Sequence, residues 1–162
     1  MPQSRPAPLA PNRTLVTALT ADPAFEQALR AIFDTSPQSE LQIVPGTVAA
    51  AGEDVDPAGV TVLLVDLEAR DPAEMQAMQQ LMARIGGRTP VVAVTQDFDA
   101  PLARVLVQMR VADFLVKPVP PIELVRTCAR VARPADGGDD KEAVIHTFLS
   151  AAGGAGVTTL AI

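Results

Sequence analysis

Three apolar runs constrain this chain more than any other feature: VTVLLVD (60–66), VVAVT (91–95) and DFLVKP (113–118). Each is continuous rather than alternating, as expected of central strands in a parallel sheet covered on both faces. Each also closes on a polar residue: Asp66, Thr95 and Lys117. In an open parallel sheet the carboxyl ends of neighbouring strands converge on one crevice, where ligands bind. An acid, a hydroxyl and an ammonium are therefore expected at a single sheet edge, a set suited to handling phosphate.

With 162 residues, 48% of them hydrophobic, the chain can bury the core of one α/β domain plus a fragment. Charges or prolines interrupt every apolar stretch before membrane-spanning length, so no membrane insertion is expected. The first residues, MPQSRPAPLAPNR, lack the apolar middle of a signal peptide. One cysteine, Cys128, permits no internal disulfide and suits a reducing cytoplasm. A net charge of −6 gives no electrostatic case for a nucleic-acid partner. Only two lysines, Lys117 and Lys141, stand among thirteen cationic residues. A lysine closing a buried strand then suggests a site that wants a compact ammonium rather than a planar guanidinium.

Proline-rich residues 1–12 read as a loose leader. RTLVTALT (13–20) reads as a first strand and DPAFEQALRAIF (22–33) as the helix behind it, with Asp22 as cap and Pro23 at the first position. LQIVPGTV (41–48) is a weaker strand, followed by a short helical stretch through 49–56. Residues 71–87 form the clearest helix, opened by Asp71–Pro72 and closed by Gly86–Gly87. Its Met75, Met78 and Met82 fall at helical spacing and are expected in the core. Helices over 100–110 and 122–133 bracket the last strand, 112–118. Cys128 is expected as inert core on the Leu124/Val125/Val131 side. Five strand–helix alternations with short connections predict an α/β fold with a doubly wound, five-stranded parallel sheet over 13–133. PADGGDDKE (134–142) has linker composition. AVIHTFLSA then starts a strand that runs into the glycine-rich turn AGGAGVTTLAI. Residues 143–162 are read as the opening of a second α/β domain, cut off one turn into its helix. His146 is given no role.

VLLVDLEARDP around Asp66, VVAVT at Thr95 and VADFLVKPVPPIEL around Lys117–Pro118 resemble response-regulator receiver domains across roughly 13–133. That resemblance implies strand order 2-1-3-4-5, Asp66 as phosphoacceptor, Thr95 and Phe114 as switch residues, and Lys117 as phosphate partner. It also implies a cis Lys117–Pro118 peptide. Receivers hold magnesium with an acidic pair at the end of strand one, where this chain has Thr20 and Ala21. Phosphoryl transfer to a carboxylate needs a divalent ion, and magnesium wants one or two carboxylates besides substrate oxygens. Asp22 comes one residue late and Glu68 two past the acceptor, so they are the substitute ligands on offer. No resident metal is expected.

FLSAAGGAGVTTLAI has the strand, glycine turn and helix start of a phosphate-binding loop. It resembles the loop of the ParA/MinD ATPases at Gly153, Gly154, Gly156, Thr158 and Thr159, with Ala152 and Val157 where that loop carries lysines. ATP binding by a longer protein is compatible with the backbone cradle, whereas hydrolysis is expected to be weak or absent.

A receiver-like domain, a linker and such a loop in succession resemble the TadZ/CpaE group of pilus-assembly proteins, which help place tight-adherence (Flp) pilus machinery at the cell pole. The resemblance implies a non-enzymatic, cytoplasmic localisation and interaction module, with pilus-assembly partners and a homodimer contact over 100–133. Arg104, Arg110, Glu123, Arg126 and Arg130 are the polar positions expected there. Two other readings remain: a working phosphorelay receiver using Asp66, and a flavodoxin-type nucleotide pocket. The second lacks support, because the first turn, TADPAF, has no glycine to admit a phosphate.

Overall fold

A computed structural model describes residues 13–132. The expectations for the leader (1–12), the linker and the glycine-rich loop (143–162) lie outside the described residues. Five strands, β1 (Thr14–Thr20), β2 (Ser39–Pro45), β3 (Val62–Asp66), β4 (Val91–Thr95) and β5 (Asp113–Val116), form one sheet in the order β2-β1-β3-β4-β5. All four pairings are parallel. Strand order and direction are those expected. The helices are α1 (Pro23–Phe33), α2 (Val48–Ala51), α3 (Pro72–Ile85), α4 (Ala100–Gln108) and α5 (Pro121–Ala132), with a 3-10 turn over Gly52–Asp54.

Strand alternation divides the core into two layers. Leu63, Val65, Val91 and Ala93 face α2, α3 and α4, meeting Val48, Met78, Leu81, Ile85 and Leu106. Val62, Leu64, Val92 and Val94 face α1 and α5, meeting Phe25, Leu29, Leu124 and Cys128. Burial on both faces explains why β3 and β4 read as unbroken apolar runs. Of the three methionines, Met78 is fully buried, and Met75 and Met82 are partly buried against the same layer.

Helix boundaries follow their caps. The carboxylates of Asp22, Asp71 and Asp99 accept backbone N–H bonds at the starts of α1, α3 and α4, each with proline in the first turn. Gly86 ends α3 in the left-handed region at φ 60°, which favours glycine.

Three expectations are corrected. β2 lies at 39–45 rather than 41–48: as an edge strand half open to solvent it gives a weak alternating signal, and Pro45 ends it. The helical stretch after it is only one short turn of α-helix and one of 3-10 helix. Val125 does not share the buried side of α5 with Leu124 and Cys128 but is 43% exposed.

That short α2 is held at both ends by α3. Glu74, buried, accepts bonds from the backbone N–H groups of Val48 (3.0 Å) and Ala49 (2.9 Å). Arg84 donates to the carbonyls of Gly52, Glu53 and Val55 at the other end. Short helices leave most of their backbone groups unsatisfied, and charged side chains from a neighbour complete them here.

Candidate phosphoacceptor site

The crevice lies where β1, β3 and β5 end. Asp66 closes β3, Thr20 closes β1 and Lys117 follows β5 directly. Thr20 donates its hydroxyl to Asp66 Oδ2 at 2.6 Å. Lys117 Nζ donates to Asp66 at 2.9 Å and to Asp22 Oδ2 at 2.9 Å. It also stands 4.7 Å from the centre of the Phe25 ring, close enough for a cation–π contact. Asp66 and Lys117 are largely buried, their side chains 14% and 13% exposed, whereas Asp22 is 35% exposed. At that depth a single ammonium between two carboxylates neutralises one of them and bridges both.

Asp22 does two jobs with two oxygens. Oδ1 caps α1 through the N–H groups of Ala24 (2.9 Å) and Phe25 (3.3 Å), and Oδ2 takes Lys117. Its backbone N–H donates to Thr20 Oγ1 at 3.0 Å, which fixes the Thr20 hydroxyl toward Asp66. The Lys117 hydrogen bond, aided by the two capping N–H groups, holds the Asp22 carboxyl below its ordinary value of 3.8. The sequence offers this residue as a cap and as a substitute metal ligand; its bond to Lys117 was not legible there. Phe25, beneath the ammonium, was likewise missed.

The remaining sequence-derived positions divide. Thr95 ends β4 beside Asp66, completely buried, and its hydroxyl has no hydrogen-bond partner among the described residues. Phe114 lies one strand over and stacks on Phe98 of the β4–α4 loop, with ring centroids 4.5 Å apart and planes 12° from parallel. The Lys117–Pro118 peptide is cis. Ala21 is exposed at the bend after β1 and brings no polar side chain. Glu68 does not join the carboxylates: its Oε1 accepts from the Arg70 N–H in the β3–α3 turn at 3.4 Å. Among the described residues no group of three or more His, Cys, Asp or Glu side chains is placed to hold a metal ion. Beside the crevice, a cavity of about 480 Å³ runs between α1 and the start of α5, lined by Phe25, Leu29, Lys117, Pro118, Val119 and Leu124.

A doubly wound sheet in this strand order, with an acid, a hydroxyl and a lysine at its carboxyl edge, is the CheY-like receiver fold. No family model and no curated protein matches the chain. Solved structures do. A protein assigned to pilus assembly (cpaE) from Burkholderia thailandensis matches with a TM-score of 0.64 at 20% identity, covering 74% of this chain and 98% of that one. The pilus assembly protein CpaE of Caulobacter crescentus matches at 0.60 and 21%, covering 74% and 93%. A CheY-like response regulator from Mesorhizobium loti matches at 0.57 and 21%, covering 74% and 98%.

Proposed function

We propose that residues 13–132 form a receiver-like interaction module of the pilus-assembly kind, in which the acceptor carboxylate is neutralised from within. One observation carries the reading: the Lys117 ammonium sits between Asp22 and Asp66 while the Thr20 hydroxyl donates to Asp66 Oδ2. Magnesium at this edge needs oxygens that are free to coordinate it. Here one carboxylate is shared with α1 and the ammonium, the other accepts a threonine hydroxyl, and two neutral residues, Thr20 and Ala21, stand where an acidic pair is wanted. That donor set does not fit magnesium, so no phosphoryl transfer is derived through it. Likeness in fold to the Burkholderia and Caulobacter pilus-assembly proteins supports the pilus-assembly setting; placement at the cell pole through protein partners is part of the proposal.

The interaction role is supported by where apolar surface lies. The large hydrophobic side chains exposed among the described residues are Val107, Val116, Ile122 and Val125, all on α4, β5 or α5. Beside them lies a groove of about 870 Å³ whose lining includes Val107, Phe114, Ile122, Glu123 and Arg126. An apolar centre with a mixed-charge rim suits a reversible protein contact, here self-association. The groove's charges are balanced, so Glu123 and Arg126 can pair across a two-fold axis.

A second reading, a phosphorylatable receiver acting in a phosphorelay, draws support from the unpartnered Thr95 hydroxyl, a donor available to a phosphoryl oxygen. Magnesium with beryllofluoride separates the two. The module reading expects no adduct at Asp66 at millimolar magnesium, and an adduct accompanied by a Thr95 shift would replace it with the switch. Sedimentation of wild type and Ile122→Asp tests the contact face: association lost in the variant supports it, and equal behaviour removes it. Nucleotide binding by the glycine-rich loop at 153–159 is a separate proposal for a longer protein, tested by ATP titration of that protein.

A further inference from the structure

The loop between β4 and α4 is tied down at three consecutive residues, each to a different element. Asp97 pairs with Arg70 of the β3–α3 loop at 3.1 Å, Phe98 stacks on Phe114 of β5, and Asp99 accepts the Leu102 N–H at the start of α4 at 2.7 Å. The first tie is largely solvent-exposed, with side chains 77% and 60% accessible, and holds little by itself. The aromatic tie is different. Phe98 and Phe114 are both partly buried, and an aromatic stack fixes two rings at once. Phe114 also lines the α4–β5–α5 groove and packs on the α3/α4 core layer, so its ring position helps set the groove's shape.

We propose that Phe98 is the positioning residue that keeps the α4–β5–α5 face preformed: by stacking on Phe114 it holds the groove open and α4 in place, independently of chemistry at Asp66. The inference rests on the reading of that face as the interaction surface. It assigns the control of Phe114 to the β4–α4 loop, whereas the crevice residues Asp66, Lys117 and Thr20 are occupied with one another. Thr95, at the strand end between the two, bonds to neither side. A face set in this way needs no phosphoryl signal to become competent.

Hydrogen exchange over residues 96–109, measured on the whole chain, tests this. Phe98→Ala should raise exchange across that stretch by about tenfold while the sheet amides stay protected. The same variant should weaken self-association, measured by sedimentation, by roughly tenfold. Phe98→Leu retains apolar bulk without a ring face, should show an intermediate effect, and stands in if the alanine variant fails to fold. Magnesium with beryllofluoride added to the wild type should leave exchange over 96–109 unchanged. Unaltered exchange in both variants overturns the assignment, as does an anion-induced change as large as that of Phe98→Ala. An adduct at Asp66 without any change in the loop would defeat the inert-acceptor reading and leave Phe98's role standing. A wild type that never associates defeats the contact face, and the exchange measurement still decides the Phe98 brace.

Discussion

Lys117 Nζ is 2.9 Å from Asp22 Oδ2 and 2.9 Å from Asp66, so one ammonium joins the exit of β1 to the ends of β3 and β5. Removing it leaves two carboxylates facing each other at low solvent exposure. Lys117→Met should therefore destabilise the domain by about 1–3 kcal/mol, less than a fully buried pair because Asp22 is partly hydrated. Asp66→Asn in the same background should restore part of the loss. Urea titration of the two single variants and the double variant measures both terms. A Lys117→Met protein as stable as wild type would mean that the bridge contributes nothing.

Thr20 occupies a place where a carboxylate would offer a metal ligand. Thr20→Asp should confer a magnesium-dependent rise in Tm that wild type lacks, since it supplies a further carboxylate beside Asp66. Without magnesium the same variant should be less stable, because like charges then oppose each other. Thermal unfolding with and without millimolar magnesium reads both signs.

The Asp22 carboxyl titrates below its ordinary value of 3.8 because Lys117 and two backbone N–H groups favour its charged form. A depressed native pKa stabilises the fold fully above the unfolded value, and that contribution is lost as pH falls through the native one. The wild type should thus lose stability below about pH 4 more steeply than Asp22→Asn. Coincident acid profiles for the two proteins would remove this contribution.

Burial pushes the Cys128 thiol up to about 12. Only the thiolate reacts with alkylating agents. Native protein near pH 8 should resist iodoacetamide, and labelling should follow unfolding in urea. Rapid labelling of the folded protein would contradict the packing of α5 on the sheet.

Glu74 is a buried carboxylate whose two oxygens satisfy the N–H groups of Val48 and Ala49. Glu74→Ala should cost about 1–3 kcal/mol, since it leaves the buried Val48 N–H and the partly buried Ala49 N–H unpaired. Glu74→Gln retains one acceptor oxygen and should cost less. Hydrogen exchange at residues 48–51 should rise in both.

Strand identity was legible because β3 and β4 are buried on both faces, which forces unbroken apolar runs; strand order was legible only through the resemblance to receiver domains. The starts of α1 and α3 were legible because Asp22 and Asp71 precede proline-bearing first turns; Asp99 plays the same part for α4. The trio at the sheet edge was only half legible: Asp66 and Lys117 meet, but the Thr95 hydroxyl bonds to neither. What escaped depends on partners distant in sequence. Asp22 reads as a cap and a substitute metal ligand, and its pairing with Lys117 shows only once β5 supplies that lysine. Glu74 looks like an ordinary first-turn acid until α2 packs over it. Ile122 and Val125 satisfy helical periodicity, yet they face outward because Leu124 and Cys128 already fill the core side of α5. Phe98 carried no pattern at all, as a single aromatic in a short loop.

The Asp22–Lys117 contact spans 95 residues. It requires β5 to be in place beside the rest of the sheet, so it is expected to fasten late in folding, as a long-range contact. Weakening it should hasten unfolding and leave the refolding rate almost untouched. The ammonium that pairs with Asp66 also holds the first helix to the last strand, so in the proposed module the silence of the acceptor and the durability of the fold would rest on one group.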